Sequence, residues 1–152
     1  MAKLPAFSLP GSDSSCHSAA SLKGTMAVIY FYPKDATTGC TQEACDFRDQ
    51  HKALAKLGVQ VFGVSPDPLT SHAKFIAKQK LPFVLLADED HAFAQALGVW
   101  AEKSMYGRKF MGVVRSTFLI GKDGSILAEW RKVKVAGHVD EVMAAVKIAV
   151  KA

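Results

Sequence analysis

The chain has 152 residues, 49% of them hydrophobic and 22% charged, which is ordinary for a globular protein and enough to bury a sizeable core as one domain over residues 1–152. Nineteen lysines and arginines against fourteen acidic residues give a net charge of +5, yet no dense basic run with interleaved aromatics occurs, which argues against nucleic acid as a partner. No apolar stretch approaches the length of a membrane span, so no membrane partner is expected either.

Pro5 and Pro10 interrupt the start of the chain and no apolar run follows Lys3, unlike a secretory leader. Three cysteines, an odd number, do not suit a framework of structural disulfides. The expected address is therefore reducing, with the cytoplasm as default, where cysteines are catalytic, redox-sensing or metal-binding.

In chain order, prolines, a glycine and serines between Leu4 and Ser18 flank short extended pieces and predict a small hairpin over the main sheet. Met26 to Tyr32 (MAVIYFY) is a buried strand by its β-branched and aromatic content. A helix from Thr38 to Leu57 follows, closed by Gly58, with Ala44, Phe47, Leu54 and Leu57 on its apolar side. Val59 to Ser65 is a second strand, Pro66 and Pro68 break the chain, and a helix runs from Leu69 to Lys78. Leu81 to Ala87 reads as a short strand, and Asp88 to Leu97 as a short helix ended by Gly98. Trp100 to Gly112 is polar and glycine-punctuated, and is expected to be a surface loop. Arg115 to Ile120 and Ser125 to Arg131 form an antiparallel pair around Lys122-Asp123-Gly124, and His138 to Val150 is an amphipathic helix. No internal repeat or linker is present. The order β–α–β–α–β, then a hairpin and a helix, predicts a three-layer α/β fold of thioredoxin-like order, with a central mixed sheet flanked by helices.

The chemistry gathers at PKDATTGCTQEAC, Pro33 to Cys45. Pro33 ends the strand and stiffens the turn. Cys40 falls in the turn or the first helical turn, where free backbone amides and the helix dipole favour an anion and hence a thiolate. Thr37, three residues earlier, is close enough to donate its hydroxyl to a thiolate or a bound oxygen. The alternative is a buried structural thiol, against which stand the small polar neighbours Thr37, Thr38, Gly39 and Thr41.

Pro33-x-x-x-Thr37-x-x-Cys40 resembles the peroxidatic motif of peroxiredoxins, and Cys45 in GCTQEACDFRD looks like the resolving cysteine of their bacterioferritin-comigratory, or Q-type, branch. The likeness runs from LPAFSLPGSD to VVRSTFLIGKDGSI. It implies a thioredoxin fold and a thiol peroxidase that needs no cofactor or metal. In such an enzyme Cys40 reduces hydrogen peroxide and organic hydroperoxides, Cys45 resolves the resulting sulfenic acid, and a thioredoxin-like or glutaredoxin-like reductant restores the thiols. The resemblance also implies that Arg115 lies beside the thiolate and that Glu43 orients it. It leans toward a monomer or a weak dimer. Without the resemblance, Arg115 reads as a strand-edge residue reaching solvent, and Glu43 as a glutamate suited to a helix N-terminus.

Residues five apart on an ideal helix are turned by about 140° and separated by roughly 8.7 Å between Cα atoms. A disulfide needs Cα atoms within about 7 Å, so Cys40 and Cys45 cannot bond unless the helix start unwinds. Cys45 also fits as a small core residue. Cys16, in SDSSCHSAA beside His17, fits a bystander, a glutathione attachment site or an intermolecular partner. A metal reading would combine Cys40, Cys45 and His51, with Cys16 and His17 near, but lacks the tight C-x-x-C pairs of structural zinc sites. The same missing motif weakens a disulfide oxidoreductase. A redox-sensing protein without turnover is the remaining alternative. His51, His72, His91 and His138 are dispersed and read as surface residues or helix-end caps.

Overall fold

In the computed structural model, which describes residues 2–151, two short strands open the chain: β1 (Ser8–Pro10) and β2 (Cys16–Ser18), paired antiparallel. This N-terminal hairpin is attached at the edge of the main sheet, where Gly11 bridges Leu86 and the Ser12 amide donates to the Leu85 carbonyl. The next strand, β3 (Met26–Phe31), is buried along its whole length. Alternation sends Val28 and Tyr30 into one hydrophobic cluster and Ala27, Ile29 and Phe31 into another, so both faces of the strand must be covered.

The remaining elements are α1 (Thr38–Lys56), β4 (Val59–Ser65), α2 (Leu69–Gln79), β5 (Val84–Ala87), α3 (Ala92–Ala96), β6 (Trp100–Met105), β7 (Arg108–Val113), β8 (Ser116–Ile120), β9 (Ile126–Arg131) and α4 (His138–Lys151). The central sheet has the order β5-β4-β3-β8-β9. Its first three strands are parallel, joined by helical crossovers, and β8 and β9 are antiparallel. Helices α1, α2 and α4 cover one face through Phe47, Leu54, Phe75, Val142 and Val146. The other face is covered by Phe93, Ala94 and Leu97 around α3, with Leu4, Leu9 and Val113. The expected three layers and mixed sheet are present. No helix among the described residues is long and apolar enough to cross a membrane.

Two expectations need correction. Trp100 to Gly112 is not a loop, because β6 and β7 form an antiparallel hairpin with Trp100 opposite Val113 and Met105 opposite Arg108. Its two-residue turn, Tyr106-Gly107, has φ of 52° and 78°, the twist that suits a tight hairpin. Both strands lie mostly at the surface, so the apolar alternation that marks a half-buried strand is missing. Two histidines were also misplaced: His72 is wholly buried and His138 nearly so, each beside a polar partner that no sequence pattern announces.

Backbone meets side chain most tightly at Gly63 of β4, where a Cβ would sit 2.6 Å from Leu85 and 2.9 Å from the Tyr30 ring. Gly63→Ala is therefore expected to destabilise the fold by about 1–3 kcal/mol, read as a lower urea midpoint at unchanged slope.

Candidate active site

Strand β3 runs straight into the turn that begins α1, and β8 lies antiparallel beside it with Phe31 opposite Ser116. That register sets Arg115, the residue before β8, next to the end of β3 from which α1 departs. The Arg115 backbone is pinned as well, its carbonyl accepting from the Val133 amide at 2.9 Å. A sheet contact thus delivers a cation to a helix N-terminus.

Cys40 is the third residue of α1 and is only 1% exposed, among Tyr30, Tyr32, Ala44 and Phe47. The expectation that its small polar neighbours would keep it out of an apolar pocket fails. Thr37, Thr38, Gly39 and Thr41 lie along the rim, while the sulfur turns inward. Burial does not make it inert, because Arg115 Nη2 reaches Cys40 Sγ at 3.3 Å. Arg115 Nη1 donates to Glu43 Oε1 at 2.7 Å. Burial works against the guanidinium's charge, but Glu43 and Cys40 outweigh it and hold Arg115 above its ordinary value.

Glu43 has no exposure, and its Oε2 finds no hydrogen-bond partner among the described residues. Burial dominates here: the Glu43 carboxyl is pushed up to about 7 despite the opposing pull of Arg115. Tyr30, also buried with an unpartnered hydroxyl, is driven well above its usual range by burial and then by the charge of Glu43.

Thr37 occupies the N-cap position of α1, but its exposed hydroxyl donates to the Lys34 carbonyl at 2.9 Å rather than to Cys40, and it accepts no bond from the helix amides. Pro33 is half-buried, just beyond β3. Cys45 is half-buried on a different side of α1, its thiol 3.5 Å from Gln79 Oε1 on α2. The five-residue offset within an unbroken helix keeps the two cysteines apart. Cys16 is exposed on β2, with Ser8 Oγ at 3.9 Å.

Two contributors carried no sequence signal strong enough to assign. Gly39 lies under the guanidinium, where an added Cβ would be 3.2 Å from Arg115 Nη2. A glycine inside a helical turn, where it costs stability, was the available clue. Lys103 of β6 is half-buried with its stem across Gly112. Burial and then the Arg115 charge lower its pKa, while Cys40 acts in the opposite sense. A pattern that reads as a loop hides the strand pairing that brings it there.

The Glu43 shift has a testable sign. Between the ordinary value of 4.5 and about 7, the folded chain holds a proton that the unfolded chain releases. Its contribution to stability is therefore complete at the acid end of that window and falls as pH rises through it. Denaturant titrations across the window should show this fall in the native chain, and the Glu43→Gln variant should lose that component.

Residues 1–129 match the AhpC/TSA family. The chain is 48% identical to peroxiredoxin Bcp of Bacillus subtilis over 145 residues, covering 95% of this chain and 92% of the relative. Among solved structures it resembles peroxiredoxin Q of Xanthomonas campestris, at 44% identity and a TM-score of 0.90, covering 95% of this chain and 91% of that one. The X. campestris bacterioferritin comigratory protein, studied for its alkyl peroxide reduction activity, is 43% identical with a TM-score of 0.90, over 95% of this chain and 92% of that one. With a buried thiol held against an arginine in this fold, the chain belongs to the AhpC/TSA family and, within it, to the Bcp peroxiredoxins, which are thiol-dependent peroxidases.

Proposed function

We propose that Cys40 is the peroxidatic thiol and that it reduces hydrogen peroxide and organic hydroperoxides. The thiolate attacks the terminal peroxide oxygen, the S–O bond forms, and the O–O bond breaks. The leaving oxide takes a proton to become water or an alcohol, and Cys40 is left as a sulfenic acid. The observation that carries this reading is the single guanidinium contacting both Cys40 Sγ and Glu43 Oε1. From that position Arg115 favours the thiolate and meets the charge that grows on the peroxide oxygens. Pro33 and Thr37 shape the turn, and Thr37 turns its hydroxyl toward substrate by rotating away from Lys34. The alkyl peroxide activity studied in the X. campestris relative supports including organic hydroperoxides.

Cys45 then attacks the sulfenic sulfur, water leaves, and a Cys40–Cys45 disulfide forms. The first turns of α1 must unwind for this step. Their weak start supports it, since α1 has no side-chain N-cap bond and no acidic residue in its first turn. A thioredoxin-like or glutaredoxin-like dithiol restores both thiols by exchange, which suits a reducing compartment such as the cytoplasm. Apart from the external reductant, every group in the scheme comes from one chain and, in this reading, one domain, which supports a monomer or weak dimer as the acting unit.

Mixing fully reduced protein with one equivalent of hydrogen peroxide, then mapping disulfides by peptide mass spectrometry, tests the reading. Rapid loss of two thiols ending in a Cys40–Cys45 bond is expected, whereas slow loss would overturn the role of Cys40. A bond from Cys40 to Cys16 would remove Cys45 from the cycle. Arg115→Met should slow the peroxide step by about 10²–10³-fold, as loss of one preorganised donor does elsewhere. Gly39→Ala should slow it as well, by about tenfold, although alanine is the better helix former.

A further inference from the structure

The most extensive buried polar cluster outside the thiol site holds the turn that leads into it. Asp35, 6% exposed, accepts from Tyr32 Oη at 2.6 Å through Oδ1. Its Oδ2 accepts from Ser71 Oγ at 2.8 Å and lies 2.7 Å from His72 Nδ1. Its amide donates to Asp67 Oδ2 at 2.8 Å, an oxygen that also accepts from Ser65 Oγ at 2.6 Å. His72 has no exposure, and its Nε2 lies 2.9 Å from the Leu86 carbonyl. Both ring nitrogens face acceptor oxygens, so the ring ties the turn to α2 and β5 together. Burial alone would raise the Asp35 carboxyl, but the bonds from His72 and Tyr32 outweigh it and hold it below the ordinary range.

Ligand atoms of Asp35, Asp67 and His72 lie within 4.8 Å of one another, a spacing a metal ion could use. The bonds already made decide against that reading: Asp35 accepts three, Asp67 Oδ2 accepts two, and both ring nitrogens of His72 are engaged. The cluster is a clasp.

Its position matters for α1. Ala36, directly after Asp35, has φ of 64°, a conformation that alanine adopts reluctantly. Downstream, Cys45 meets Gln79 only through a thiol contact of 3.5 Å, whereas Arg48 Nη1 donates to the Gln79 carbonyl at 2.9 Å and Phe47 is wholly buried. The stretch from residue 36 to 46 therefore lies between two attachments to α2. It begins with a strained alanine and a helix start without a side-chain cap. Inside it the ties to other elements are the burial of Cys40 and Ala44, the Arg115 contacts to Cys40 and Glu43, and a weak thiol contact.

We propose that the Asp35–His72 clasp is the fixed upstream end of the segment that unwinds, with Phe47 and Arg48 as its downstream end. His72 is thus a positioning residue for the peroxide reaction, since it returns residues 36–46 to the fold with Cys40 beneath Arg115 after each turnover. This rests on the Cys40–Cys45 cycle proposed above.

Hydrogen exchange and stopped-flow kinetics on the full chain test it, with His72→Leu removing both ring contacts and His72→Asn keeping one polar group toward Asp35. In reduced His72→Leu, amides of residues 37–46 should exchange about tenfold faster or more, and those of residues 53–57 should be unchanged. The peroxide step should slow by a comparable factor while disulfide closure holds or quickens, and His72→Asn should recover much of the loss. Equal acceleration at residues 53–57, or both chemical steps slowing together, would overturn the proposal by showing a merely structural role. If His72→Leu does not fold, Asp35→Asn sets an amide group against the Ser71 and His72 donors and should give the same split. Absence of a Cys40–Cys45 bond in the unsubstituted protein would overturn the Cys45 reading, and with it the cycle the clasp serves. A local rise in exchange in that case would still show that the clasp holds the turn.

Discussion

One guanidinium holds the site together. Arg115 is placed by the antiparallel pairing of β8 with β3, and its two terminal nitrogens span Glu43 and Cys40. Each contact explains a feature that would otherwise be costly. A buried cation requires negative partners, a glutamate with no exposure requires a cation, and a thiol buried in an apolar cluster gains a polar partner from the guanidinium. Gly39 is the concession that lets the guanidinium approach the helix. Remove the arginine and the same fold leaves Cys40 Sγ without that contact and Glu43 as an unpaired buried carboxyl.

In the proposed cycle the site must nevertheless come apart once in every turnover. Cys40 faces the sheet and Cys45 faces α2, so the helix that positions the first cysteine also keeps it from the second. Helix α1 is fixed in the core by Phe47 and Leu54, whereas its start lacks a side-chain cap and is held chiefly by the Arg115 contacts to Cys40 and Glu43. In the proposed cycle, loss of those contacts lets a few residues open while the sheet stays intact. The polar contacts of α2 lie at both ends of the weak stretch, a buried clasp at one end and a backbone bond from Arg48 at the other.

Much of this was legible in the chain. Runs such as MAVIYFY and VQVFGVS announce buried strands, Gly58 and Gly98 mark helix ends, and Pro33, Thr37 and Cys40 have the spacing of a peroxidatic turn. What stayed hidden depended on contacts between distant segments. His72 and Asp35 are 37 residues apart, and neither carries a local signal of burial. The β6–β7 hairpin lacks apolar alternation because both its strands lie mostly at the surface, so the place of Lys103 could not be read either. The inward turn of the Cys40 sulfur was obscured by small polar neighbours that line only the rim.

The most direct test of a site that works intact and resolves only when opened is the backbone chemical shifts of the reduced chain and its Cys40–Cys45 disulfide form. Helical shifts should be present throughout α1 in the reduced chain. In the disulfide form they should vanish over residues 38–45 and persist from Phe47 onward. A disulfide form with helical shifts preserved through Cys40 and Cys45, or one in which the whole helix melts, would contradict it.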